Sequence, residues 1–157
     1  NQVAVWANGV WLADGAGDIS LFTVSAGLTI TLPSSLTNLV IGFPYTAQYR
    51  STKLAYAAQL GTALTQRKKI DYLALILQNT HHKGLKTGRD FTHMNNLPAT
   101  KDEQTIATDT IHADWDMDSV MFDGSWSTDS RLCLEANAPR PCTVNAAIIS
   151  LSQHEKA

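Results

Sequence analysis

Between Leu39 and Ala58 the chain reads LVIGFPYTAQYRSTKLAYAA, and no other stretch limits its folding options so sharply. An apolar run ends at Gly42 and Pro44, after which oily and polar residues alternate. Tyr45, Ala47 and Tyr49 share one parity and Thr46, Gln48 and Arg50 the other; further on the apolar parity becomes that of Leu54, Tyr56 and Ala58. A period of two is the repeat of a strand, whose side chains alternate between faces. A change of parity inside one extended run requires an extra residue that re-aims the side chains. The stretch therefore predicts a bulge or bend near Arg50 to Lys53, in one long bent strand or in two strands that cross from one sheet to another.

The surroundings are equally rich in β signals. Tight-turn residues recur at Asn8-Gly9, Asp14-Gly15 with Gly17, Ala26-Gly27, Pro33-Ser34-Ser35 and Gly42, which predicts short strands between turns. Leu28, Ile30 and Leu32 alternate with Thr29 and Thr31, the cleanest strand pattern in the chain. Arg67 to Thr80, RKKIDYLALILQNT, is rich in helix formers. Its aliphatics nevertheless surround a helix rather than striping it, and it lacks a capping box. Amid β signals it is read as a buried central strand. Thr143 to Leu151, TVNAAIISL, is apolar on both parities after Pro139 and Pro141 and is read as another interior strand. Arg131 to Ala136 precedes that turn and completes a hairpin with it. The fold class expected is all-β, an antiparallel β-sandwich or partly open barrel, with one long irregular excursion at about 91–130 in a single domain over 1–157.

Composition removes several functions. The length of 157 residues suits one domain with a sizeable core. A net charge of −2 with scattered Lys and Arg offers no footprint for gripping nucleic acid. Charged residues make up only 17% of the chain, which suits a surface partly covered by neighbours. No apolar run approaches the roughly 18 residues that cross a membrane as a helix, and no signal-peptide pattern opens the chain. The chain reads as soluble, without stable membrane insertion. It starts at Asn1 within a strand-like run, Val3 to Trp6, and is expected to be a piece of a longer polypeptide. Cys133 and Cys142 have no Cys-x-x-Cys spacing; two buried thiols is the main reading and a single disulfide the alternative.

The excursion, FTHMNNLPATKDEQTIATDTIHADWDMDSVMFDGSWSTDS, is where chemistry would reside, with a long acidic loop at 98–125. Asp114, Asp116 and Asp118 have the spacing that starts a calcium loop, but Ser119 stands where glycine is needed and Ser125 where a bidentate glutamate closes the shell. His81 and His82 are candidate ligands, yet neighbours in a strand point to opposite faces and spacing supplies no third ligand. Glu103 with Asp109 is the acid–base pair the loop allows, with nothing to raise either pKa. Trp115 and Trp126 flank the aspartates and would suit a sugar-binding surface; the alternative is that they pin the loop to the body. No nucleophile elbow, phosphate-binding glycine loop or zinc-binding helix motif is present. The expectation is no catalytic site, no metal and no cofactor.

The segment VIGFPYTAQYRSTKL is similar to the Gly-x-Pro-Tyr segment of tail proteins of short-tailed bacteriophages, and the chain resembles in particular the tubular tail protein B, or tail nozzle, family. A hairpin like FTVSAGLTITLP precedes that segment in the family. A buried strand like RKKIDYLALILQNTHHKGLKTG follows it, and an element like DSRLCLEANAPRPCTVNAAIISL closes the chain. The resemblance spans Phe22 to Leu151 and corresponds to the C-terminal part of those longer proteins.

It implies architecture rather than chemistry: a hexameric ring at the distal end of a short tail, continuing the channel through which DNA leaves and giving tail fibres a support. The partners it implies are other copies in a ring, other tail proteins and DNA that passes without sequence-specific binding. The location is the virion tail, after synthesis in the host cytoplasm. The family supplies no catalytic residue and no match for 98–125. The alternative function is a receptor- or glycan-binding β-module, which requires Trp115 and Trp126 to be exposed on one shallow surface.

Overall fold

A computed structural model describes residues 1–7, 10–12, 20–55, 64–101, 103–107, 110–137 and 140–153. Among them every regular element is a strand, as expected. The longest is β6 (Lys68–His81), in the region read as a buried central strand. It lies in the middle of a three-stranded antiparallel sheet between β11 (Ile111–Met117) and β13 (Thr143–Gln153). Leu73, Leu75 and Leu77 on one of its faces are fully buried. They pack against a second antiparallel sheet, in which β12 (Cys133–Asn137) pairs with β5 (Thr46–Arg50) and β7 (Leu85–Asp90), and β7 pairs with β8 (His93–Asn96). Leu85, Leu132 and Leu134 from that side, with Trp115 and Met117 from β11, complete one core between two layers. The arrangement is that of a β-sandwich. At about 25 cal/mol per Å² of apolar surface, burial in this core is the main stabilising contribution.

A third sheet is built on β1 (Gln2–Ala7). One edge of β1 pairs with β4 (Leu39–Gly42), and the other with β2 (Val10–Trp11) and β3 (Leu21–Thr23) in succession. The ribbon at Leu39 thus forms two strands in two sheets, one of the two arrangements expected. The crossing, however, is at Phe43–Tyr45, not at Arg50–Lys53. Pro44 cannot donate to a ladder, so the chain leaves one sheet there and enters the next. At Arg50 strand β5 simply ends. Ser51 takes over, its amide donating to the Leu132 carbonyl (2.8 Å) and its hydroxyl accepting from the Leu132 amide (3.0 Å). Tyr56 and Ala58 lie outside the described residues, as do the turn signals at residues 8–9 and 14–17.

Four expectations are corrected. Leu28 to Leu32 is not a strand: Leu28 has a left-handed backbone (φ 58°) and is exposed, at a tight turn in which its amide donates to the Ser25 carbonyl. Among the described residues no strand pairs with this stretch. β12 and β13 form no hairpin, because β12 pairs with β5 and β7 and β13 with β6; the connection crosses between layers. β13 is an edge strand rather than an interior one. Its apolar residues on both parities reflect a bulge at Asn145, which switches the face that β13 presents; a second bulge, at Asp71, does the same for β6. Finally, the excursion at 91–130 is not a long irregular loop. It holds β8, a small hairpin of β9 (Thr100–Lys101) and β10 (Gln104–Thr105), and the seven-residue β11.

Candidate docking surface

The residues with chemical potential in the sequence are dispersed by this fold. In β11, Trp115 and Met117 point into the core opposite Leu77 and Leu75, so Asp114 and Asp116 project from the exposed face opposite Gln78 and Ile76. Asp118 follows the strand, and its carbonyl accepts a hydrogen bond from the Tyr72 hydroxyl. Same-face carboxylates in a strand stand about 7 Å apart, whereas a calcium loop wraps its oxygens around one point. Among the described residues no group of three His, Cys, Asp or Glu side chains is arranged to hold a metal.

His81 and His82 do not point to opposite faces. His81 ends β6 and His82 begins the turn to β7, so strand alternation no longer applies and their buried rings lie 4.5 Å apart. The Lys83 amide donates to His81 Nδ1 (3.0 Å), which assigns the proton of the neutral ring to Nε2. Glu103 is exposed at the β9–β10 turn with a left-handed backbone (φ 64°); Asp109, its expected partner, lies outside the described residues. Trp115 is 3% exposed, its ring tilted against that of His112 at 4.2 Å, whereas Trp126 is 49% exposed. A wall of the core and a surface ring do not make one shallow sugar platform.

Both cysteines are free. Cys133 is buried, with its thiol donating to the Arg89 carbonyl (3.6 Å), and Cys142 is half-buried. Burial pushes both thiols above the ordinary range, opposed at Cys142 by the Thr80 hydroxyl. Sequence reading did not single out Lys68, whose side chain is buried at the start of β6. Desolvation pulls its ammonium pKa down, Lys53 adds repulsion and Asp129 opposes both.

What the fold does assemble is apolar and open. Along the β4–β5 ribbon Val40, Phe43 and Tyr45 are 64%, 69% and 68% exposed, with Leu39, Ile41 and Tyr49 also on the surface. Beneath them a cavity of about 400 Å³ lies between Ala4 and Trp6 of β1, the ribbon, and Arg140–Cys142. Ala47, Ala136 and Cys142 also line a groove of about 660 Å³ between β5 and β13. The charges near the groove stay outside it. Gln48 donates to Glu135 (2.8 Å) and Lys86 pairs with Glu135 (3.7 Å) on the outer face of the β5–β12–β7 sheet. The sequence carries one signal for this surface: no charged residue occurs between Asp18 and Arg50, or between Arg140 and His154.

Compared with known proteins, the chain matches no family model and no curated sequence.

Proposed function

We propose that the chain is a structural module of the tail of a short-tailed phage or prophage, one of several copies forming a ring-shaped channel for DNA ejection and a seat for fibres. The observation that carries this reading is the exposure of the apolar ribbon from Leu39 to Tyr49, the segment with the family resemblance. A contiguous apolar surface of this kind marks contact with another protein, and a closed ring covers such surface on every copy. The net charge of −2 fits a channel along which phosphates slide rather than stick. In this reading the module is not an enzyme, needs no cofactor, resides in the virion tail and binds DNA with no affinity that survives physiological salt.

The test is to express the full reading frame that contains this chain and image the product by electron microscopy, with an antibody to the chain applied to purified virions. Rings with a central channel, and label at the tail tip, are the expected result. Virions without label, or hydrolysis of polysaccharide or peptide that a single Asp or His substitution abolishes, would overturn it.

A further inference from the structure

The two edges of the β11–β6–β13 sheet are built differently. β11 carries Asp114 and Asp116, with Asp118 just beyond, and such charges guard a free strand edge against pairing. β13 runs for eleven residues without a Lys, Arg, Asp, Glu or Pro, and among the described residues it pairs with β6 alone. An uncharged edge of that length, left unguarded, is a template for another strand.

The layers part at this same edge. Tyr49 lies opposite Leu134 and Ala147 opposite Leu75, so both are on the inner faces of the sandwich. Leu134 and Leu75 are buried, yet Tyr49 and Ala147 are exposed. The inner face has therefore lost its cover along the line from β5 to β13, where Ala47, Tyr49, Leu134, Val144, Ala147 and Ile149 line the groove. Such a seam calls for an extended segment that hydrogen-bonds to β13 and turns alternate apolar side chains inward, the mode of strand addition. The chain owns a segment of that description. β4 pairs with β1 alone among the described residues, and Leu39, Val40, Ile41, Phe43 and Tyr45 around it are all exposed.

We propose that the Leu39–Tyr45 ribbon of a second copy of this chain lies along the β13 edge and closes the seam between β5 and β13. The proposal rests on the module reading above and names its contact. Each surface supplies what the other lacks: one is an apolar strand in need of cover, the other an open edge above an apolar groove. Because Ala47, Ala136 and Cys142 line both the groove and the cavity beneath the ribbon, donor and acceptor adjoin on each copy.

Sedimentation velocity of the purified chain between about 1 and about 100 µM, the upper range for interfaces of ordinary size, tests this together with amide hydrogen exchange at the two extremes. The expected result is concentration-dependent association with slowed exchange of β13 amides. Ala147→Lys, which puts a charge in the groove, should weaken association at least about tenfold. Ile148→Lys, on the opposite face of the same strand, should leave it unchanged. A chain that stays monomeric, with β13 amides exchanging equally fast at both concentrations, overturns the proposal. So does loss of association in Ile148→Lys but not in Ala147→Lys. Should Ala147→Lys fail to fold, exchange in the unmodified chain decides the matter. Association through the seam that stops at two copies upholds this contact and overturns the ring. A ring of the longer protein in which β13 amides exchange freely does the reverse.

Discussion

Replacing Trp115 by alanine is the most direct test of how the acidic segment is used. The indole is 3% exposed, on the inner face of β11 opposite Leu77, against His112 on its own strand. Truncation would remove its contacts and leave a cavity that neighbouring strands fill only in part, at a cost of about 3–5 kcal/mol. Against the roughly 5–15 kcal/mol that holds a typical domain together, little stability would remain. With about 2–4 °C of melting temperature per kcal/mol for a chain of this size, the midpoint should fall by about 6–20 °C. Urea unfolding followed by circular dichroism reads the change as a lower midpoint at unchanged slope. Trp126→Ala, from a ring that is 49% exposed, should cost about 1 kcal/mol or less. If Trp115→Ala lies within about 1 kcal/mol of the unmodified chain, β11 is not a wall of the core and the reasoning fails.

Other consequences are equally concrete. Asp90 Oδ1 accepts hydrogen bonds from the Thr92 hydroxyl (2.6 Å), the Thr92 amide (2.8 Å), the His93 amide (2.9 Å) and His93 Nδ1 (2.9 Å). The Thr92 hydroxyl first, and then His93, hold its carboxyl well below the usual carboxylate range. Because the folded chain favours the ionised form, this contribution to stability is present above the ordinary carboxylate pKa and is lost as the pH falls through the depressed folded value. Asp90→Asn should therefore flatten the acid limb of a stability-versus-pH curve, and an unchanged limb would show that the β7–β8 turn does not depend on the charge. A methyl group at Gly88 would meet the His93 carbonyl oxygen, and Met94 Sδ at 2.8 Å, so Gly88→Ala should lose about 1–3 kcal/mol in chemical denaturation. Iodoacetamide should alkylate Cys142 slowly in the native chain and Cys133 only on unfolding, since burial disfavours both thiolates and shields Cys133 more. Equal native labelling of the two would refute that placement.

Local pattern was enough where a segment's burial and its period agreed. Arg67 to Thr80 is too apolar on both parities for a surface helix, and β6 occupies Lys68–His81 in the middle of its sheet. The ribbon at Leu39 does change sheet, but at Pro44 rather than at the parity change near Arg50–Lys53, so the turn residues marked the break and the parity did not. The DWDMD run was also legible as an edge strand, because Asp alternates with Trp and Met; attention to carboxylate spacing obscured a period of two. The groove between β5 and β13 was less legible, since a stretch free of charge has the same composition whether it is buried or exposed.

The sequence by itself determined the β class and the central position of β6, because each follows from the pattern of side chains along an extended backbone; it placed the crossing between sheets at the wrong residues. Only the tertiary structure decided partners. Leu28, Ile30 and Leu32 alternate as a strand does, yet among the described residues no strand pairs with them. A turn signal at Pro139 and Pro141 says that the chain changes direction, but not whether its two arms pair or part into different layers; here they part. The same distinction opens the seam. Tyr49 and Ala147 belong by parity to an inner face, and whether an inner face is covered depends on which distant strands reach it. Strand pairing is non-local, and a strand's own residues specify its faces but not its neighbours.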